Sequence, residues 1–317
     1  MPEVAGRVAD AFEARVREHE EGALSPLAIR SYATMGRLRD EEECRLRTPF
    51  QRDRDRILHS KPFRRLKGKT QVFIDPAGDH YRTRMTHTLE TTGIARVVAR
   101  ALRLNEDLTE AIGLGHDMGH PPFGHAGEDE LDRCLREHFG TGFRHNEQSH
   151  RIASELNLTA EVCDGILTHT GERGPESLEG GIVRVVDRVA YINHDIDDAI
   201  RFGILDPAEL PREEIELLGD TGARRIDALV HDLVESSEQA GEIVQGEEVG
   251  RAMLSLRSFM FERVYLGPHA RGEHERAHST VRRIFEHLVD RGDGEEEVTA
   301  FIAGMTDRFA LSYPDSV

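Results

Sequence analysis

The chain has 317 residues, of which 38% are hydrophobic, and a formal net charge of -18 at pH 7. This length is enough for one large domain or two small ones with a substantial core. The negative charge argues against a general nucleic-acid binder, because phosphates would be repelled. No segment approaches the roughly 18 consecutive apolar residues that span a bilayer. The charged N-terminus is unlike a signal peptide, so we expect no membrane partner.

The cysteines indicate the redox environment. There are three, an odd number, without CxxC spacing: Cys44, Cys134 and Cys163. This usage favours reduced, structural thiols, so a cytoplasmic location is expected.

The N-terminal part of the chain contains a basic segment. Residues 1–44 are expected to form a helical extension. From Arg45 to Lys69 there are ten basic residues against two acidic ones, and all three lysines of the chain lie there. A basic segment in an acidic protein indicates a compact anionic ligand. The alternative is a helix face that pairs with acidic neighbours, and both stay open.

The middle of the chain shows helical spacing. One amphipathic helix is expected to begin near His87 and to carry on its apolar face Ile94, Val97, Val98, Ala101 and Leu102. Asn105 is a candidate cap for the next helix, which brings His116-Asp117 to its C-terminal end. Pro121-Pro122 then forces a loop, and another helix begins near Ala126.

Helical spacing continues to the C-terminus, in segments 146–156, 159–169, 181–202, 212–240, 246–265, 275–291 and 295–311. Strand signals are scarce, and residues 71–78 are the best candidate for a short β-hairpin. The sequence therefore predicts an all-α fold with at most that hairpin. We expect a core at 45–205 and a C-terminal helical region at 206–317 that packs on it.

The most informative short motif is the adjacent pair His116-Asp117, which offers a nitrogen and an oxygen donor. Gly115 and Gly119 beside it allow another group to approach closely. Divalent ions of borderline hardness accept mixed imidazole and carboxylate ligands. For such a pair alone, the alternative is two polar residues at a helix end.

A second motif lies in segment 181–202. Asp187, Tyr191 and Asp195 are spaced by four residues and share one stripe of a helix that is otherwise rich in isoleucine and valine. Carboxylates on a half-buried helix need charge compensation. Either Arg184 and Arg188 supply it as ion pairs, or a metal ion binds at Asp187.

The order His87, His116-Asp117, Asp187 resembles the H…HD…D pattern of the HD superfamily of metal-dependent phosphohydrolases. The surrounding sequence is similar to the dGTPase-like branch. This similarity is carried by segments 47–53, 63–67, 70–73, 78–84, 120–128, 144–149 and 187–195. It covers 45–203 densely and extends through 259–265.

The resemblance implies an HD-domain helical fold and a reaction, the hydrolysis of dGTP or a broader set of deoxynucleoside triphosphates to deoxynucleoside and inorganic triphosphate. It also implies a metal site. One divalent ion would be bound by His87, His116, Asp117 and Asp187; Mn²⁺ is favoured for activity, while Mg²⁺, Fe²⁺, Co²⁺ and Zn²⁺ stay open.

The resemblance further implies a catalytic pair. His125 and Glu128 are three residues apart across a helix start. The carboxylate would orient the imidazole, which aligns or deprotonates the attacking water. Histidine suits this role because its pKa near 6.5 allows proton exchange at neutral pH.

Substrate contacts are implied in the same way. Tyr191 would stack against the sugar and leave no room for a 2′-hydroxyl, while Asp195 and Gln71 would hydrogen-bond the 3′-hydroxyl. Arg84 and Arg188 would contact phosphates.

His120 and His145 would contact phosphates or the leaving group. Structural hydrogen bonding is the alternative for these two histidines.

Two other functions remain open on the same residues. One is a 5′-deoxynucleotidase acting on monophosphates, which would have little need for the basic segment. The other is a sensing module that binds deoxynucleoside triphosphates with little turnover. As partners we expect a homo-oligomer, from dimer to hexamer, with room for a nucleotide effector, and no nucleic acid. The sequence leaves the base preference and the physiological metal undecided.

Overall fold

The computed structural model describes residues 2–72 and 82–313, with side chains from residue 11 onwards except at positions 268 and 269. Within these residues the chain forms helices and no strand, and the two isolated β-bridges join Arg37 to Thr159 and Thr70 to Thr83. The all-α prediction is therefore confirmed. The predicted hairpin at 71–78 lies mostly outside the described residues. No described helix is long and apolar enough to cross a membrane.

The α-helices are α1 (Pro2–Ala23), α2 (Pro49–His59), α3 (Lys61–Arg65), α4 (Arg84–Ala101), α5 (Glu106–Gly115), α6 (Gly124–Phe139), α7 (His145–Glu155), α8 (Ala160–Thr168), α9 (Leu178–Arg201), α10 (Arg212–Leu218), α11 (Gly222–Ala240), α12 (Glu247–Met260), α13 (Pro268–Asp290), α14 (Glu295–Ala303) and α15 (Asp307–Leu311). Short 3₁₀ turns occupy Ser31–Ala33, Leu66–Gly68 and Pro207–Glu209, and a π turn occupies Phe261–Tyr265.

The first hydrophobic core is built around α9, which packs on α4, α5, α8 and α11. Its apolar residues point to several sides, so the helix is buried on most of its surface; these residues include Ile182, Val186, Val189, Ile192 and Ile196. Each such side chain stabilises the fold by roughly 1.5–3 kcal/mol. This burial fixes the direction of the stripe of α9 that carries Asp187 and Asp195.

A second hydrophobic core joins α6 to the C-terminal helices α13, α14 and α15. Its buried side chains include Leu131 and Leu135 from α6, Val281, Ile284 and Leu288 from α13, and Ile302 from α14. Helix α6 therefore belongs to a different core from α4, α5 and α9.

Several helices end earlier than the spacing predicts. The segment predicted as one helix over 212–240 is broken at Gly219, whose φ of 116° ends α10. Thr221 then caps α11 by accepting a hydrogen bond from the Arg224 amide. The N-terminal extension is α-helical only to Ala23, and a turn at Gly304 separates α14 from α15.

The basic segment 45–69 pairs largely with acidic neighbours. Arg56 donates to both oxygens of Glu41 at 2.6 Å, and Arg54 donates to Asp55 at 2.9 Å. The alternative of a paired helix face therefore holds for α2. Lys61 and Arg64, by contrast, are exposed on α3.

Candidate metal centre and active site

Three helices bring two imidazoles and two carboxylates together. His87 lies in the first turn of α4, His116 and Asp117 directly follow α5, and Asp187 lies in the middle of α9. The Nε2 atom of His87 is 2.9 Å from Oδ1 of Asp187. The Nε2 atom of His116 is 3.7 Å from that same oxygen and 3.7 Å from Oδ1 of Asp117. The structure thus assembles all four candidate ligands from segments distant in the chain.

The tautomer of His116 indicates what this cluster can hold. Its Nδ1 donates to the Gly113 carbonyl at 2.7 Å, which leaves Nε2 with a lone pair. This Nε2 is buried and has no hydrogen-bond partner among the described residues. In the neutral ring, this lone pair lies close to the Asp117 and Asp187 oxygens and can bind a cation together with them. Imidazole nitrogen and carboxylate oxygen, with a backbone carbonyl on the far ring nitrogen, fit a divalent ion.

Neighbouring charges keep the carboxylates ionised. Burial raises the pKa of Asp117, but the Arg84 guanidinium, which donates to it at 2.8 Å, and nearby imidazoles hold that pKa well below its usual range. Burial likewise raises the pKa of Asp187, but the hydrogen bond from His87 and the charges of the His116 and His87 imidazoles together hold that pKa well below its usual range. Both acids are therefore available as anionic ligands at neutral pH.

The candidate catalytic pair lies at the start of α6. The His125 side chain is 74% exposed, and its Nδ1 is 3.3 Å from Oε2 of Glu128. The other Glu128 oxygen accepts hydrogen bonds from the backbone amide and from Nδ1 of His145, both at 2.8 Å. Burial raises the pKa of Glu128, but His145 and His125 hold it well below its usual range. Glu128 is thus a carboxylate between two imidazoles.

A cavity of about 570 Å³ connects the cluster to this pair. Its lining includes the predicted substrate residues Gln71, Arg84, His120, His145, Arg188, Tyr191 and Asp195. Buried polar atoms without a partner among the described residues face this region, namely Gln71 Oε1, Arg84 Nη2, Arg188 Nε and His120 Nδ1. The cavity therefore offers both cationic and neutral hydrogen-bonding groups to a ligand.

Comparison with known proteins indicates the family of this chain. Residues 84–192 match the HD domain and residues 243–298 the phosphohydrolase-associated domain. A relative in Caldanaerobacter subterraneus subsp. tengcongensis is 51% identical over 93% of this chain and 92% of its own length. One in Clostridium perfringens is 44% identical over 94% of this chain and 96% of its own. Both are named deoxyguanosinetriphosphate triphosphohydrolase-like protein.

The chain belongs to the deoxyguanosinetriphosphate triphosphohydrolase-like family of HD-domain proteins. The resemblance seen in the sequence is confirmed, and the protein is an HD-type phosphohydrolase. A solved structure of a hypothetical protein from Aquifex aeolicus is a more distant match, with 21% identity, coverage of 82% of this chain and 66% of that one, and a TM-score of 0.49.

One histidine of the HD site was missed in the sequence. His169, at the end of α8, is buried, and its Nε2 is 3.2 Å from Nε2 of His145. Its Nδ1 donates to the Ile166 carbonyl at 2.7 Å, and its ring centroid lies 5.1 Å from that of His116. Burial, with His116 and His145, lowers its pKa to about 3. In a chain with 17 histidines, an isolated one gives no sequence signal.

The neighbours of His145 are also fixed by close packing. The His120 ring stacks on the His145 ring with centroids 4.1 Å apart. Gly119 permits the backbone of α7 to come close, because a Cβ there would lie 2.3 Å from the Ser149 amide nitrogen and 2.7 Å from the His145 carbonyl oxygen. His120 and His145 are thus held beside the cluster by the start of α7.

The ion-pair alternative for α9 is wrong for Arg184. Its guanidinium donates to the carbonyls of Thr168 at 2.7 Å, Gly171 at 2.5 Å and Arg173 at 2.7 Å. It therefore fixes the loop after α8 and leaves Asp187 without this counterion.

Two further residues of the HD protein complete the far end of the cavity. Arg257 donates to the Tyr191 hydroxyl at 2.8 Å, and the Tyr265 hydroxyl donates to Asp195. Burial raises the pKa of Asp195 to about 7. Tyr265 falls within segment 259–265, to which the family resemblance extends, but the sequence analysis assigned it no role. It lies in a π turn, where regular helical spacing does not predict the direction of a side chain.

Proposed function

We propose that this HD-type phosphohydrolase cleaves deoxynucleoside triphosphates, with dGTP or a broader set as substrate, to deoxynucleoside and inorganic triphosphate. Water attacks the α-phosphorus, the bond from phosphorus to the 5′-oxygen breaks, and that oxygen leaves with a proton. The observation that carries this proposal is a single cavity in which a metal-binding cluster, two arginines and the His125–Glu128 pair meet. The names of the relatives support the substrate class.

We assign the metal-ligand role to His87, His116, Asp117 and Asp187. This set of two imidazoles and two carboxylates suits Mn²⁺, which we favour, and also Mg²⁺, Fe²⁺, Co²⁺ or Zn²⁺. When bound, the ion supplies positive charge to the phosphate oxygens.

His125 has the role of aligning and deprotonating the water. Its Nδ1 donates to Glu128, so its Nε2 is the atom that accepts the proton. Arg84 and Arg188 neutralise charge that develops on the phosphate oxygens. His120 and His145 contact the phosphates or the leaving 5′-oxygen.

Tyr191 packs against the deoxyribose and excludes a 2′-hydroxyl, and Asp195 and Gln71 hydrogen-bond the 3′-hydroxyl. The contacts that support these roles are those that immobilise the side chains: Arg257 on Tyr191 and Tyr265 on Asp195. A ribonucleotide would need the ring of Tyr191 to move.

Incubation with dGTP and Mn²⁺, followed by anion-exchange chromatography, tests the reaction. We expect deoxyguanosine and triphosphate in equal amounts. Monophosphate with pyrophosphate would refute the reaction, and turnover of dGMP alone would establish the 5′-deoxynucleotidase alternative. Tight dNTP binding in calorimetry without any product would establish the sensing alternative. Parallel assays with the four dNTPs and with GTP measure the base and sugar preference.

We further propose a cytoplasmic homo-oligomer of two to six subunits. All three cysteines are free, which fits a reducing compartment. Met35 and Leu38 are 69% and 77% exposed, which fits a surface covered by another subunit. Light scattering with and without dNTP measures the subunit number and its response to a nucleotide effector.

A further inference from the structure

The proposed metal ligands and the candidate catalytic pair adjoin helices that belong to different hydrophobic cores. His116 and Asp117 follow α5 in the first core, while His125 and Glu128 lie on α6 in the second. Along the chain, residues 118–123 connect Asp117 to the start of α6. A displacement of about 1 Å at a catalytic group can lower the rate a hundredfold, so the junction between the cores needs to be held firmly.

Asp307, the first residue of α15, reaches this junction with both carboxylate oxygens. Its Oδ1 accepts a hydrogen bond from the Phe123 amide at 2.9 Å. Its Oδ2 accepts one from the Thr70 amide at 2.8 Å. Phe123 is the N-cap of α6, two residues before His125, and Thr70 directly precedes Gln71 in the cavity wall.

The Phe123 backbone needs such a hold. Its φ of 65° lies in the left-handed region, which costs a non-glycine residue roughly 1–2 kcal/mol. The next residue, Gly124, also has a positive φ of 59°. Two successive residues of this kind set the direction in which α6 starts, and with it the direction of His125.

Lys69 makes a parallel connection from the same segment. Its buried Nζ donates to the His120 carbonyl at 2.5 Å and to the Ala303 carbonyl at 2.8 Å. The residues around α14 and α15 are thus tied twice to the loop between the metal ligands and α6.

We propose that Asp307 is a positioning residue for the reaction: through Phe123 it sets the place of His125 relative to the metal ligands, and through Thr70 the place of Gln71. This inference rests on the proposed function for its kinetic consequence. Its structural consequence, the hold on the Phe123 and Thr70 amides, is measured without any substrate.

The test is Asp307→Asn. A carboxylate accepts at both oxygens, whereas an amide accepts at one and turns its NH₂ group towards the other backbone N–H, so one of the two bonds is lost. We expect unchanged metal content, faster amide exchange in residues 119–125 or at Thr70, and a fall in kcat on the order of tenfold. The matched control is Asp132→Asn on α6, where Asp132 accepts from the Phe143 amide at 2.8 Å, and there we expect kcat to stay unchanged.

A double variant separates positioning from general loss of stability. If Asp307 acts through His125, then adding Asp307→Asn to His125→Ala lowers kcat little further, because the group being positioned is already gone. Asp307→Glu, which keeps two acceptor oxygens, should recover part of the amide protection. Additive losses, unaltered exchange, or an equal effect in Asp132→Asn would overturn the proposal. A wild-type protein without triphosphohydrolase activity would refute the proposed function, while the exchange comparison would still decide the role of Asp307.

Discussion

At the scale of single residues, His125 combines an exposed ring with one fixed nitrogen. Its Nδ1 is 3.3 Å from one Glu128 oxygen, while the other Glu128 oxygen accepts a hydrogen bond from the His145 amide. Removing the His125 side chain should therefore impair proton transfer and leave the proposed metal ligands in place.

We therefore expect His125→Ala to bind metal as the wild type does and to lower kcat roughly a hundredfold or more, the usual range for a lost acid–base group. Metal content is measured by elemental analysis and kcat by triphosphate release. His138→Ala, at the far end of the same helix, is the control. Loss of the metal together with activity would contradict this assignment.

Lys69 leads to a prediction about pH. Burial, followed by the nearby Arg84, lowers the pKa of this lysine from 10.5 to about 7. Between those two values the unfolded chain carries a proton that the folded chain lacks, so a rise in pH favours the folded state. One such group adds up to about 1.4 kcal/mol of unfolding free energy per pH unit. Below the folded pKa both states are protonated, and the contribution stops changing.

Urea unfolding of the wild type and of Lys69→Met between about pH 7.5 and pH 9.5 measures this effect. The increase in unfolding free energy with pH should be larger in the wild type, because methionine carries no proton. Equal increments in the two proteins would show that Lys69 keeps its usual pKa.

At the scale of elements, the sequence predicts what depends on local spacing. The Asn105 cap is present as expected, with its side chain accepting from the Leu108 amide at 3.1 Å, because a cap is decided within three residues. His169 and Asp307 were missed because their partners come from elsewhere; Asp307 and Phe123 are 184 positions apart. The break at Gly219 was missed because a glycine can also continue a helix. Its positive φ, which ends α10, is visible only in the structure.

Two glycines differ in what surrounds their helices. A Cβ at Gly119 would meet backbone atoms of α7 at 2.3 to 2.7 Å, whereas one at Gly93, in the middle of α4, would meet nothing within 4 Å. We expect Gly119→Ala to destabilise the fold by about 1–3 kcal/mol through overpacking. Gly93→Ala should stabilise it by about 0.5–1 kcal/mol through helix propensity. Chemical denaturation measures both, and similar values for the two would show that α7 moves away freely.

At the scale of the whole molecule, the proposed metal ligands come from different helices of the first core. His87 comes from α4, His116 and Asp117 follow α5, and Asp187 comes from α9. The order of these residues in the chain indicated the set, but only the packing of the helices around α9 brings them within reach of each other. A cation held by all of them is bound by the folded chain and not by the unfolded one.

Metal should therefore stabilise the whole fold. An ion at a hundred times its Kd adds about 2.7 kcal/mol to the unfolding free energy, because only the folded state binds it. We expect the Tm of the wild type to rise with Mn²⁺ concentration and to fall on chelation. We expect His116→Ala to show no turnover and a Tm that does not change with Mn²⁺ concentration. The substitution removes the buried Nε2 that has no hydrogen-bond partner among the described residues. His125→Ala is the matched control and should keep the full Mn²⁺ response. A Tm that rises equally in His116→Ala would place the cation elsewhere, and the proposed ligand set of His87, His116, Asp117 and Asp187 would be wrong.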